Sequence, residues 1–166
     1  GKDMVVTLGF VGSASALLSW QKNINQPPPG PGSIASRRPY NSILPGVTNI
    51  SYLESAGNAA YTSMQLSFEK RMSRGLYFLG NWTWAHGLDN IGGDGGANGP
   101  IPQDPENRRA DWGSSNSDIR HRINLASNYQ LPFAQNMTSP LRHLLRGWEV
   151  GGIVVLQTGP PFTVTV

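Results

Sequence analysis

Apolar and polar residues alternate with a period of two through most of the patterned parts of this chain, the signature of strands with two unlike faces. The clearest run spans 119–131. Ile119, His121, Ile123, Leu125, Tyr129 and Leu131 fall on one face, and Arg120, Arg122, Asn124, Asn128 and Gln130 on the other. Residues 62–69 repeat the pattern, with Met64, Leu66 and Phe68 against Ser63, Gln65, Ser67 and Glu69. Leu76, Phe78, Trp82 and Trp84 then alternate with Tyr77, Asn81 and Thr83. In the last run Trp148, Val150, Val154 and Leu156 alternate with Glu149, Gly151 and Gln157, although Ile153 and Val155 blur the contrast. Met4–Val11 supplies a fifth candidate.

These runs predict an all-β chain, an antiparallel meander of about five to six amphipathic strands near 4–11, 47–72, 76–88, 118–131 and 147–158. The connections differ sharply in length. Ser73-Arg74-Gly75 is a tight hairpin with glycine where positive φ is expected. Residues 12–46, with Gln26-Pro27-Pro28-Pro29-Gly30-Pro31-Gly32, and residues 89–117, rich in Gly, Asn, Asp and Pro, are expected as long loops. The segment 132–146 is intermediate, with a helical turn expected at Leu141–Leu145.

Composition changes this picture in two ways. Twenty glycines and 13 prolines in 166 residues, with only 14% charged residues, describe a turn-rich chain poor in helix formers. The mean hydropathy of −0.32 resembles that of a soluble protein, but a membrane β-barrel alternates apolar and polar residues and also averages to a polar value. No apolar run reaches the length of a membrane-spanning helix. The net charge of +3 rests on arginines and lysines scattered along the chain, not gathered in one stripe, so nucleic acid is not an expected partner. The lack of cysteine excludes disulfides and thiolate metal sites. No leader pattern is read at residue 1, which leaves an intracellular protein or an internal or processed piece of a longer one.

Long loops at one end and short turns at the other form the layout of an outer-membrane barrel, and about 9–11 residues per spanning strand suit the runs above. Trp82, Trp84, Tyr129, Phe133 and Trp148 lie near strand ends, where interfacial aromatic girdles are found. The alternative on pattern alone is a soluble antiparallel sandwich or barrel whose apolar face is its core.

Several segments in consistent order resemble the barrel of TonB-dependent outer-membrane receptors, in particular the Oar-like branch. They are Thr7–Ser13, Asn23-Ile-Asn-Gln-Pro27, Arg37-Arg-Pro-Tyr40, Tyr61–Arg71, Gly75–Trp84, Asp118-Ile-Arg-His-Arg122, Tyr129-Gln-Leu-Pro-Phe133 and Gly147–Ile153 through Gln157–Thr163. The resemblance implies a bacterial outer-membrane barrel that imports a bulky nutrient, with a plug and a TonB-contacting segment outside these residues. Residues 1–166 then form a partial barrel, because five strands cannot close a spanning wall, whose minimum is about eight. Its expected partners are outer-membrane lipid and, through exposed edge strands, the rest of the barrel or other copies of itself. With the short hairpin facing the periplasm, loops 12–46 and 89–117 lie outside the cell.

On this layout Arg120, Arg122, Glu69 and Gln65 are candidates for the lumen face, where Arg120 and Arg122 could pair with Glu69 or Asp118 or meet an anionic substrate. Trp82, Trp84, Tyr129 and Trp148 are the interfacial aromatics. Residues 89–118 carry six acids against two arginines, a solvated loop or a cation-attracting mouth. His86, His121 and His143 are too dispersed for a metal site, and Asp89–Gly96 lacks the ligand spacing and terminal Glu of a calcium loop. No nucleophile or phosphate-loop motif occurs, so no catalytic residue, cofactor or enzyme activity is expected. Sequons at Asn49, Asn81 and Asn136 are chance matches. Two rivals remain: a secreted β-rich subunit that self-assembles by edge-strand pairing, and a soluble sandwich that binds carbohydrate through loop aromatics such as Trp112.

Overall fold

A computed structural model describes residues 3–91, 102–132 and 147–162. The chain is all-β. One antiparallel sheet contains β1 (Met4–Asn23), β2 (Ser51–Ser73), β3 (Leu76–Asp89), β4 (Gly113–Ser114), β5 (His121–Gln130) and β6 (Glu149–Gln157). Its order is β1-β2-β3-β5-β6, with the short β4 paired to β3. Among the described residues the helical elements are two 3-10 turns, Ala35–Arg37 and Arg108–Asp111. The turn expected at Leu141–Leu145, like Phe133 and His143, lies outside the described residues.

The residues group into two compact units. The first is made of Gly1–Val11, Thr62–Ala85 and Ile119–Gly159, and the second of Gly12–Tyr61, His86–Asp118 and Pro160–Val166.

In the first unit the register follows the period-two pattern. β3 and β5 pair from Leu76↔Tyr129 to Trp84↔His121, and β5 and β6 from Arg122↔Gln157 to Gln130↔Glu149. Paired residues share a face, so Leu76, Phe78, Trp82, Trp84, Ile123, Leu125, Tyr129, Val150, Val154 and Leu156 form one apolar surface. The Phe68 ring lies 5.9 Å from that of Phe78, which brings the even positions of β2 to the same surface. On the opposite face Asn81, Thr83, Arg122, Asn124, Asn128, Gln130, Glu149 and Gln157 alternate with Leu79, Ala126, Ile153 and Val155. The Asn128 amide donates across the strands to Glu149 there. The β2–β3 hairpin is a two-residue loop with positive φ at both Arg74 (51°) and Gly75 (79°), the type I′ geometry that matches strand twist. Gly75 is required a second time, since a Cβ there would sit 2.9 Å from the Gln130 carbonyl oxygen.

The first strand departs from expectation. Residues 12–23, expected inside the loop 12–46, continue β1 to Asn23. The physical reason is compositional: Ser13-Ala14-Ser15-Ala16 has no contrast between its faces, so the alternation fades while the strand goes on. Leu17 then takes a left-handed backbone (φ 58°), a conformation costing an L-residue about 1–2 kcal/mol. The expected loop 89–117 contains β4 and the turn Arg108–Asp111.

Burial separates apolar from polar in an uncommon way. Among the described residues Trp20, Ala85 and Pro102 are the buried apolar side chains, while Asn23, Asn25, Ser63, Asp89, Asn90 and Asp118 are buried polar ones. Phe10, Val6, Leu8, Val150, Ile153 and Leu156 are exposed. A water-soluble sandwich would cover such a set with a second layer.

Candidate functional site

The second unit holds its long connections in place with buried side-chain amides. Asn25 is fully buried; its Oδ1 accepts from the Tyr40 amide at 3.0 Å and its Nδ2 donates to the Val47 carbonyl at 2.7 Å. Asn23 Oδ1 accepts from the amides of Asn25 and Ile50, each at 2.9 Å, and its Nδ2 donates to Thr48 O at 3.3 Å. Arg38 Nη1 donates to the carbonyls of Asn25 and Thr48, and Arg37 Nη1 to Pro28 O at 2.5 Å. Buried polar groups are tolerated only when paired, and these pairs fix the course of residues 24–50. The segments Asn23-Ile-Asn25 and Arg37-Arg38 therefore act as a clasp.

Trp20 anchors the second part of the unit. Its ring is covered by two cations, Lys22 Nζ at 5.6 Å and the Arg108 guanidinium at 5.7 Å, the range of cation–π attraction. Lys22 also lies 5.7 Å from the Tyr52 ring and pairs with Glu54 at 3.5 Å. Arg108, carried on the turn Arg108–Asp111, donates to Ala56 O at 3.5 Å. Asn90 Oδ1 accepts from the Asn58 amide at 2.8 Å, and Asp89 Oδ1 from the Ile91 amide at 3.2 Å.

These contacts leave a hollow of about 730 Å³ lined by Leu17, Ser55, Ala56, Asn58, Asn90, Arg108, Arg109 and Trp112. Two guanidinium groups, two amides, a hydroxyl and an indole face are suited to a polar or anionic solute with a flat apolar surface. The exposed Trp112, 42% accessible, supplies that apolar face.

At the other end of the unit's connection, Asp118 is buried. Its Oδ1 accepts from the Gly87 amide at 3.0 Å and its Oδ2 lies 3.3 Å from His86 Nδ1. The Ser115 amide donates to Gly87 O at 2.9 Å, so the strand end and the returning chain are tied twice. Among the described residues no three of His, Asp and Glu converge on one point. The arrangement offers hydrogen bonds and cationic faces and no metal cage.

The residues singled out from sequence are distributed as follows. Arg122 pairs with Thr83 and Gln157 on the polar face of the first unit, and Arg120 precedes it by two, its carbonyl accepting from Ala85. Gln65 and Glu69 occupy the odd positions of β2, opposite Phe68. Among the described residues Arg122 and Glu69 form no ion pair with each other. Trp82 stacks on His121 at 6.0 Å and donates its Nε1–H to His121 Nδ1 at 3.3 Å. Trp84 is the partner of His121 across β3–β5, Tyr129 pairs with Leu76 and Val150, and Trp148 immediately precedes β6, its carbonyl accepting from Leu131. The two aromatic groups thus stand at opposite ends of the apolar surface. From Leu76 to Trp84 is eight steps, about 27 Å at the usual rise per residue.

Trp20, Asn25, Asn58, Asn90 and Arg108 carry no period-two signal, and pattern reading passed over them as site residues. The one sequence signal for part of this set is that Asn23-Ile-Asn25 and Arg37-Arg38 fall within the ordered segments that resemble a known barrel family.

Comparison with known proteins gives one match. A family model described as an outer membrane β-barrel domain matches residues 1–166. No curated protein and no solved structure matches the chain. An antiparallel sheet with one apolar and one mainly polar face is what such a domain requires, and the match covers the whole sequence: the chain belongs to the outer membrane β-barrel domain family, which places it in the bacterial outer membrane.

Proposed function

We propose that this chain is a wall-and-loop segment of a TonB-dependent receptor that takes up a bulky nutrient across the outer membrane. The observation that carries the proposal is the folded state of the long connections. Residues 24–50 are clasped by Asn23, Asn25 and Arg38, and residues 102–118 are tied through Arg108 to Trp20. A barrel that served only as an anchor would have no need of fixed loops bordering a hollow, whereas a receptor selects its solute with them. The ordered resemblance to receptor barrels, and the family match, support the same reading.

The sheet order places β1 and β6 at its two ends, each with one neighbour among the described strands. Unpaired strand edges are not tolerated in lipid. In this proposal further barrel strands cover both edges, the apolar face meets lipid, the polar face meets the lumen, and the Arg74-Gly75 hairpin faces the periplasm. Arg120, Arg122, Gln65 and Glu69 then line the lumen, contact with TonB is made by segments outside residues 1–166, and the protein carries out no catalysis.

The test uses the full polypeptide in the outer membrane of living cells. Site-specific photocrosslinking to TonB, and loss of uptake of a fluorescent oligosaccharide when a protonophore collapses the inner-membrane gradient, are the expected results. No crosslink, together with uptake indifferent to the protonophore, contradicts the receptor reading and leaves a passive barrel.

One observation favours a second reading. Every residue of β6 is exposed, on both faces, as in a strand awaiting a copy of the same chain. Ordered filaments in electron micrographs of the purified protein would support self-assembly and displace the receptor proposal.

A further inference from the structure

The first unit contains a hollow that neither the loops nor the lumen face explains. It has a volume of about 430 Å³ and is lined by Asp3, Met4, Lys70, Ser73, Arg74, Leu76 and Tyr129. Leu76 and Tyr129 are partners across β3–β5 and form the end of the apolar surface at the tight hairpin. Lys70 and Arg74 stand beside them. Lys70 Nζ donates to Ser73 Oγ at 2.6 Å, which leaves it further N–H donors, and among the described residues neither Lys70 nor Arg74 has a carboxylate partner. The Asp3 carboxylate belongs to the same wall, and the two cations outweigh it.

A lysine, an arginine and a serine hydroxyl set where an apolar surface of Leu76, Phe78, Tyr129 and Val150 ends form an amphipathic seat. We infer that this hollow binds the phosphate headgroup of an anionic glycerophospholipid, with its acyl chains lying along the apolar surface. Lys70 and Arg74 neutralise the phosphodiester, the Ser73 hydroxyl stays within reach of it, and the Tyr129 ring, 39% exposed, packs at the glycerol level where amphipathic aromatics reside. The apolar hydrocarbon meets the leucine and valine positions, so both halves of the lipid find matching surface. The left-handed residues Arg74 and Gly75 contribute to this placement, because the type I′ turn holds Arg74 beside Leu76 instead of beyond the strand end. The hairpin end being periplasmic, the lipid belongs to the inner leaflet, which is where glycerophospholipid is available. The inference rests on the apolar face being the lipid-facing one and is independent of TonB coupling.

The test is native mass spectrometry of the full polypeptide released from micelles containing equal amounts of phosphatidylglycerol, phosphatidylcholine and lipid A. Retained phosphatidylglycerol in excess over both is expected, with retention falling about fivefold for each cation removed in Lys70→Gln and Arg74→Gln. Lys70→Arg should retain the lipid, and millimolar inorganic phosphate should not displace it, which separates a lipid site from a free-phosphate site. If the double variant does not fold, the wild-type preference and the single Lys70→Gln variant decide. Equal retention of the three lipids, preference for lipid A, displacement by phosphate, or retention unchanged in the variants overturns the inference. A separate control isolates the premise: in a variant with Trp20, Trp112 and Trp148 replaced by Phe, quenching of tryptophan fluorescence by brominated acyl chains, whatever the headgroup, reports lipid contact of Trp82 and Trp84. Quenching without headgroup preference defeats the lipid site alone, and absence of quenching defeats the lipid-facing assignment as well.

Discussion

The two units of the molecule are stabilised by opposite means. In the first, long ladders of backbone hydrogen bonds hold strands with one apolar face, whose side chains are half-buried or exposed and none of them buried, and one mainly polar face that also carries Leu79, Ala126, Ile153 and Val155. In the second, which also holds the far ends of β1, β2 and β3, Trp20 is the one large apolar side chain buried among the described residues, the polar Asn23, Asn25, Asp89, Asn90 and Asp118 are buried as well, and side-chain hydrogen bonds to backbone fasten the connections between the strands. The difference teaches what solvent each is built for. A sheet unit can leave leucine and valine uncovered only if lipid covers them. Backbone groups that a loop in water folds away from solvent need partners within the protein, and asparagine, with both donor and acceptor, supplies them in little space.

Charge placement tests this contrast hardest. Leu125, paired with Gly80 and Val154 at the centre of the apolar face, should cost about 2–4 kcal/mol when changed to Arg, the penalty for a cation at mid-membrane. Asn124→Arg, one residue away on the polar face, should cost nearly nothing. Urea titration of the full polypeptide refolded into vesicles checks both, and equal effects would erase the distinction between faces.

In the loop unit the expected order reverses, with polar truncation costing most. Asn25→Ala leaves the Tyr40 amide and Val47 carbonyl without their buried partner, a loss of about 2–3 kcal/mol. It should appear as rapid protease cleavage within residues 24–50, while the sheet keeps its resistance to unfolding by detergent. Loss of the sheet in this variant would show that the two units do not have separate means of support. Gly75→Ala should destabilise the hairpin by about 1–2 kcal/mol, both from its φ of 79° and from the contact with Gln130 O, read in the same urea titration. The smaller effect of Arg108→Lys, about 1 kcal/mol, follows from losing the planar group over Trp20 and shows as faster cleavage of the 102–118 segment.

The same contrast explains what could be read from sequence. Which residues of β3, β5 and β6 share a face follows from alternation, and Arg74-Gly75 marks its own turn, because both depend on neighbours in the chain or on the pleat. Even the irregular Ile153 and Val155 fall where alternation puts them, opposite Val154. Alternation ends at Val11, twelve residues short of the end of β1, because Ser13–Ala16 is equally small on both faces. The clasp was beyond pattern reading: Asn25 meets Tyr40 fifteen residues away and Val47 twenty-two away, and Asn23 meets Ile50 at twenty-seven. Nothing periodic links such positions. Burial of Trp20 is hidden for a similar reason, since it falls inside the segment 12–46 expected as a loop and its cationic partner Arg108 is eighty-eight residues away.

The account stands on the sheet unit having one face in lipid and one in water, and spin-label scanning of β5 measures this directly. With nitroxides placed singly at residues 122–129 of the full polypeptide in lipid vesicles, collision with oxygen should peak at 123, 125, 127 and 129. Collision with a water-soluble nickel complex should peak at 122, 124, 126 and 128. Accessibility without a period of two, or with the two phases exchanged, would contradict it.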